Sequence, residues 1–128
     1  MNELLKEAKR AQQSSYAPYS HFNVGAALLC KDGDVFLGCN VENASYGATL
    51  CAERVALSSA ISAGKREFVA MALVGGENMT QQDGIFPCGM CRQFMAELCS
   101  PDFEIITVVD GCTRVYKLSE LLPNGFKL

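Results

Sequence analysis

The chain has 128 residues, 49% of them hydrophobic, and a formal net charge of -3. That size suits a single compact domain with its own core, expected over residues 1–128, and the acidic balance argues against a nucleic-acid or anionic-membrane surface, both of which rest on clustered Lys and Arg. No run approaches the roughly 18 apolar residues of a membrane span, and the first seven residues carry acids without the apolar stretch of a signal peptide, so a cytoplasmic domain is expected.

In chain order, residues 2–14 are predicted to form a helix, because Leu4, Leu5, Ala8 and Ala11 fall on one face at helical spacing. Residues 14–20, with Pro18 inside, read as a connector. Residues 24–30 and 35–40 are strand-like runs around Lys31-Asp32-Gly33-Asp34, a hairpin signal. Residues 43–47 are expected as a loop. A second helix is expected from close to Cys51 up to Gly64, which suits a C-cap. Residues 68–74 form a continuous apolar run suited to a buried strand, followed by a polar loop over 75–84. Pro87 stands where proline favours a helix start, and a third helix is expected over about 89–99, stopped by Ser100-Pro101. Residues 104–109 and 113–117 are strands across an Asp110-Gly111 turn, and 119–122 a helical turn before Pro123. The order αββαβαββ predicts an α/β domain with helices packed on a mixed sheet.

Seven cysteines are many for this length, and the odd number argues against a closed disulfide framework. Cys30, Cys39, Cys99 and Cys112 sit in or beside apolar segments, where a free thiol behaves as a small hydrophobe. Cys88-Gly89-Met90-Cys91 taken alone is ambiguous between a redox dithiol and half of a zinc site. Its place at a predicted helix start favours thiolate in either case. Cys51, a third thiol at a predicted helix start, and Glu53 two residues after it tilt the reading toward metal. Three protein ligands and a water characterise a catalytic zinc site, whereas structural sites are usually closed by four. A fourth ligand is found only by reaching for His21, the sole histidine, or a remote cysteine. Zinc with one open position makes a water nucleophilic at neutral pH, and a carboxylate beside it can take and return the proton. Three thiolates leave zinc with net negative charge, so the site needs a cation nearby. Arg54 and Arg92 each follow a site residue directly, and Arg54 is expected to be the donor to the thiolates.

Cys51-Ala52-Glu53 and Pro87-Cys88-Gly89-Met90-Cys91-Arg92-Gln93 resemble the motifs of the cytidine deaminase family in its small, all-cysteine form. Tyr16-Ala17-Pro18-Tyr19-Ser20, the stretch from Phe22 to Leu28, the stretch from Gly38 to Ala44 and Leu121-Leu122-Pro123 are similar to that family too, so the likeness spans nearly the whole chain. It implies a three-layer α/β/α fold on a mixed five-stranded sheet, with Zn²⁺ held by Cys51, Cys88 and Cys91. It further implies hydrolytic deamination of cytidine and 2′-deoxycytidine to uridine and 2′-deoxyuridine with release of ammonia, as in pyrimidine salvage. A zinc-activated water attacks C4 of the ring, and Glu53 moves its proton to N3 and then to the leaving ammonia.

By position, Asn40 and Glu42 match the residues that hold the ribose, chiefly its 3′-hydroxyl. Without the likeness, the same segment reads as a solvated turn. Phe22 matches an aromatic packing at base and sugar, and Ala44 and Tyr46 match ribose contacts that a neighbouring subunit sometimes supplies. Ala52 matches a backbone donor to the pyrimidine carbonyl. Phe126 matches a C-terminal aromatic that stacks on the base in a neighbour's site. The family form is a homotetramer, and the same assembly is expected here. Phe86 departs from the Ser or Thr more usual before the proline, which affects the shape of the pocket around the amino group.

Three alternatives stand beside this reading. A related aminonucleoside deaminase, such as a blasticidin S deaminase, would share the fold, although Asn40-Val41-Glu42-Asn43 favours the ordinary nucleoside. A non-enzymatic zinc-stabilised module is opposed by Glu53 and the missing fourth ligand. A dithiol redox protein using Cys88 and Cys91 is opposed by Cys51.

Overall fold

A five-stranded sheet runs through the centre of the fold. A computed structural model describes residues 2–128, so Met1 of the expected domain lies outside the described residues. The elements are α1 (Asn2–Gln12), β1 (Phe22–Cys30), β2 (Val35–Cys39), α2 (Ala52–Ser62), β3 (Phe68–Glu77), α3 (Gly89–Leu98), β4 (Glu104–Val109), β5 (Cys112–Lys117) and α4 (Leu118–Leu121). β1 pairs antiparallel with β2 and β3, β3 parallel with β4, and β4 antiparallel with β5. The one parallel pair needs a crossover, and α3 lies in the segment that makes it. The sheet is therefore mixed, as expected.

Helices cover both faces, giving the three expected layers. Successive strand residues point to opposite sides, and the middle of β1 is buried on both. Ala26 and Leu28 join Ala52, Ala56, Leu57, Met71, Leu73, Met95 and Phe103 in one core. Ala27 joins Leu4, Leu5, Ala8, Ala70, Ala72, Val74 and Ile106 in the other. The helical stripe read from the sequence of α1 is the face it buries.

Two glycines set how closely the helices approach. A Cβ at Gly25 would sit 2.0 Å from the Ala8 carbonyl oxygen and 2.5 Å from the Gln12 amide nitrogen, so α1 lies with its backbone against β1. A Cβ at Gly38 would sit 2.3 Å from the Ala52 carbonyl oxygen and 2.5 Å from the Ala56 nitrogen, which brings the first turn of α2 against β2. The second approach places the start of α2, and with it Cys51, next to the sheet.

Several boundaries differ from the sequence expectation. α1 stops at Gln12, where the Ser14 and Ser15 amides close onto Ala11 and Gln12 in tighter turns. β3 runs on to Glu77, because Gly75 and Gly76 pair with Val24 and Asn23 instead of opening the loop. The expected loop at 43–47 ends in a single 3₁₀ turn, Tyr46–Ala48. All seven cysteines are free. Cys30 is buried and Cys39 and Cys99 are half-buried, but Cys112 is exposed. Its burial as a small hydrophobe fails because it opens β5, an edge strand whose residues are almost all exposed.

Candidate metal centre and adjoining cleft

Two helix starts meet at the site. Cys51 is the N-cap of α2 and Cys88 the N-cap of α3, both with extended backbone. Cys91 lies one turn into α3, and its amide donates to Cys88 Sγ at 3.5 Å. The three sulfurs lie within 4.8 Å of one another, and Cys51 Sγ and Cys88 Sγ are 4.0 Å apart. Tetrahedral zinc with Zn–S bonds of about 2.3 Å requires sulfurs about 3.8 Å apart, so the donor set fits this ion. No further His, Cys, Asp or Glu among the described residues joins the cluster, and His21 stands apart from it. Three ligands leave the coordination of a catalytic site.

The surrounding charge suits thiolates. Helix N-termini carry partial positive charge, and Arg54 Nη2 reaches Cys51 Sγ at 3.6 Å while also donating to the Thr49 carbonyl at 3.3 Å. Cys51 is pushed down to about 5, first by the hydrogen bond from the Cys91 thiol and then by Arg54. Cys91 is pushed up, by holding its proton toward Cys51 and by burial. Of this pair, Cys51 carries the negative charge and Cys91 holds the proton. Arg92, the other cation beside the motif, is occupied elsewhere. Its Nε donates to the Pro87 carbonyl and its Nη1 to the Leu121 carbonyl, each at 2.7 Å, which ties the start of α3 to α4.

Glu53, in the first turn of α2, is 5% exposed. Burial raises its pKa to about 7, and the Cys51 charge adds to the rise. Glu53 lines a cleft of about 330 Å³ with Phe22, Asn40, Cys51, Ala52, Phe86 and Cys88. The rest of the lining is Val24, Thr49, Leu50, Gly84 and Ile85, which the sequence reading did not single out. Phe86 forms part of the wall, held edge-to-face on Tyr116 with ring centres 5.2 Å apart.

The remaining expected residues divide between two places. Glu42 and Tyr46 line a shallow depression of about 290 Å³, and Thr49 belongs to both hollows. The Glu42 carboxylate accepts from the Tyr19 amide (3.0 Å), the Ser20 amide (3.1 Å) and the Ser20 hydroxyl, and the hydroxyl bond leads in holding its pKa below the usual carboxylate range. Asn40 Nδ2 donates to the Phe22 carbonyl at 2.8 Å and its Oδ1 accepts from the Val24 amide at 2.9 Å. Ala44 is exposed and lines neither hollow. Phe126, 64% exposed, is not brought to this chain's cleft. It borders a larger hollow of about 470 Å³ between α3, α4 and the C-terminal residues.

Residues 1–107 match the family described as the cytidine and deoxycytidylate deaminase zinc-binding region. The chain belongs to this family. It is 50% identical over 124 residues to a cytidine deaminase of Halalkalibacterium halodurans, covering 96% of this chain and 91% of that one. The crystal structure of cytidine deaminase from Burkholderia pseudomallei superposes with a TM-score of 0.89 at 51% identity, covering 98% of each chain. That of Mycobacterium tuberculosis gives 0.85 at 41% identity, covering 99% of this chain and 97% of that one. As a deaminase of the zinc-binding family, the chain has in its three converging cysteines a cluster able to hold the metal. Among the described residues, no helix is long and apolar enough to cross a membrane.

Proposed function

We propose that the chain is a cytidine deaminase acting on free cytidine and 2′-deoxycytidine, with one deaminase domain over residues 1–128. The observation that carries this reading is the convergence of three cysteine thiols beside a buried glutamate on the floor of a nucleoside-sized cleft. Zinc held by Cys51, Cys88 and Cys91 supplies Lewis acidity that makes a water nucleophilic at neutral pH. Glu53, screened from bulk solvent, would take one proton of the water that adds to C4 and deliver it to N3 of the pyrimidine. It would then take the remaining proton from the hydroxyl at C4 and deliver it to the amino group, which leaves as ammonia as the C4 carbonyl forms. The walls of Phe22, Ile85 and Phe86 exclude water from the ring, and the Ala52 amide at the start of α2 offers a donor to the pyrimidine carbonyl. Asn40 and Glu42 take the sugar end, where the two hollows share Thr49. Arg54 offsets the charge of the thiolates.

The test is deamination of cytidine and deoxycytidine by the zinc-loaded protein, followed by ultraviolet absorbance and ammonia release, with blasticidin S run in parallel. Turnover of the nucleosides and its loss on chelation are expected. A zinc-replete protein that leaves both nucleosides unchanged overturns the reading.

We infer further that the chain works in the cytoplasm as a homotetramer with shared sites. Leu50 in the cleft lining and Tyr19 and Tyr46 in the adjoining depression are exposed, and Phe126 is exposed without lining its own chain's cleft. Apolar exposure of this kind is typical of surfaces that are covered on assembly. Light scattering of the purified protein tests the assembly. Phe126→Ala should raise KM without lowering zinc content, and an unchanged KM removes Phe126 from the site.

A further inference from the structure

Between the end of α1, the start of β1 and the loop after β3, the buried side chains of Gln12, Asn23 and Asn40, half-buried Ser15 and exposed Gln81 form one continuous hydrogen-bonded chain that ends at the cleft. Gln12 is fully buried. Its Nε2 donates to the Asn23 carbonyl at 3.0 Å and the Thr80 carbonyl at 3.1 Å, and its Oε1 accepts from Gln81 Nε2. Asn23 Oδ1 accepts the Met79 amide at 3.0 Å, and Asn23 Nδ2 donates to Ser15 Oγ at 3.1 Å. Ser15 Oγ then donates to Asn40 Oδ1.

The donor inventory fixes the direction of each bond. A serine hydroxyl has one hydrogen, and with a lone pair already taken by Asn23, that hydrogen goes to Asn40. Asn40 Oδ1 therefore receives two donors, Ser15 and the Val24 amide, while Nδ2 spends one of its two hydrogens on the Phe22 carbonyl. Flipping the Asn40 amide would set its NH₂ against the Val24 amide donor and its oxygen against the Phe22 carbonyl. One Nδ2 hydrogen is left over, and it is all that this side chain can offer the cleft it lines.

We propose that Ser15 is a positioning residue of the cleft, orienting the Asn40 amide so that it presents a donor to the sugar end of the substrate. Asn23, Gln12 and Gln81 anchor Ser15, and the same chain ties the cleft floor to the loop that leads into its wall at Gly84, Ile85 and Phe86. The proposal rests on the reading of Asn40 as a sugar contact, and the experiment separates the two.

Ser15→Ala, Ser15→Thr and Asn40→Ala are compared by steady-state kinetics on cytidine and on 3′-deoxycytidine. Loss of one oriented hydrogen bond should raise KM for cytidine about tenfold in Ser15→Ala, with kcat within about twofold because the contact is made equally in ground and transition states. Ser15→Thr keeps the hydroxyl and should restore KM. The Ser15→Ala effect should vanish on 3′-deoxycytidine and in the Asn40→Ala background, as it must if Ser15 acts only through Asn40. If Asn40→Ala raises KM for cytidine and Ser15→Ala does not, the positioning role is overturned while the sugar contact stands. If neither variant distinguishes the two substrates, both fall. Equal losses on both substrates in Ser15→Ala, with a lowered Tm, mark a merely structural residue and also overturn the proposal. Should Asn40→Ala fail to fold, NMR exchange of the Asn40 side-chain amide decides. Faster exchange in Ser15→Ala than in the wild type is expected, and unchanged exchange overturns the proposal.

Discussion

The two faces of the sheet are built to different rules. On the α1 face alanines, Ala8, Ala27, Ala70 and Ala72, make up half of the buried cluster, and the helix backbone lies almost on the strand at Gly25. The polar group buried at the end of α1 is neutral Gln12, with its amide fully bonded. On the opposite face Leu28, Leu57, Met71, Leu73, Met95 and Phe103 fill a deeper layer that holds α2 and α3 with their starts together. There a carboxyl is buried, and Arg54 Nε is buried without a hydrogen-bond partner among the described residues. Buried polar groups are normally satisfied. The α1 face obeys that rule, and the α2–α3 face breaks it beside the thiols, where the proposed chemistry needs a desolvated proton carrier and a cation.

Exchanging the buried groups of the two faces is the strongest way to break this contrast. Glu53→Gln should lower kcat by about 10²- to 10⁴-fold and leave Tm unchanged or higher, since a neutral amide is easier to bury than a carboxyl. Gln12→Glu removes the donors to the Asn23 and Thr80 carbonyls and buries an acid, so it should cost about 3 kcal/mol or more in stability. Denaturant melts and kinetics on both variants check the pair. A Glu53→Gln variant that loses stability and keeps turnover would reverse the assignment of the faces.

The close approaches give the next test. Alanine at Gly25 or at Gly38 forces a Cβ into helix backbone, and overpacking of this kind costs about 3 kcal/mol. Gly25→Ala should lose stability and keep its zinc, because it displaces only α1. Gly38→Ala pushes on Ala52, adjacent to Cys51, and should release zinc at a lower chelator concentration than Gly25→Ala. Zinc content measured against chelator separates them. Arg54→Gln is smaller, with turnover and zinc affinity each lowered about 10- to 100-fold; wild-type values for both would remove Arg54 from the site.

Much of this contrast is legible in the sequence. The stripe of Leu4, Leu5, Ala8 and Ala11 predicts the face of α1, and Cys51, Cys88 and Cys91, which the structure brings together, stand out with buried Glu53 because in combination their residue types and spacings point to metal chemistry. Gln12 is missed, although it lies four residues after Ala8 and seven after Leu5 and so continues the buried stripe. A polar residue on an apolar face is read as the end of the pattern, and only tertiary structure supplies Asn23, Thr80 and Gln81 as its partners. Arg54 and Arg92 are alike in sequence, each next to a site residue. They are distinguished by reach, since Arg92 is drawn to the Pro87 and Leu121 carbonyls and only Arg54 turns to a thiol. Thr49, Leu50 and Ile85 line the cleft through loops whose path no periodicity encodes.

The cysteines outside the site supply the smallest effect and the finest division of the molecule. Cys30 is 2% exposed in the same deep core as Leu28 and Met71, whereas Cys112 opens the exposed edge strand β5. Composition treats the two alike, as thiols beside apolar residues, yet serine replaces them at different cost. Ser at position 30 brings a hydroxyl into an apolar layer, where an unsatisfied group costs about 1–3 kcal/mol. At position 112 water can solvate the hydroxyl, and the change should stay within about 0.5 kcal/mol. Paired denaturant melts of Cys30→Ser and Cys112→Ser measure the difference. Equal destabilisation would mean that β5 is covered in solution, as it would be if the sheet edge were buried between copies of the chain.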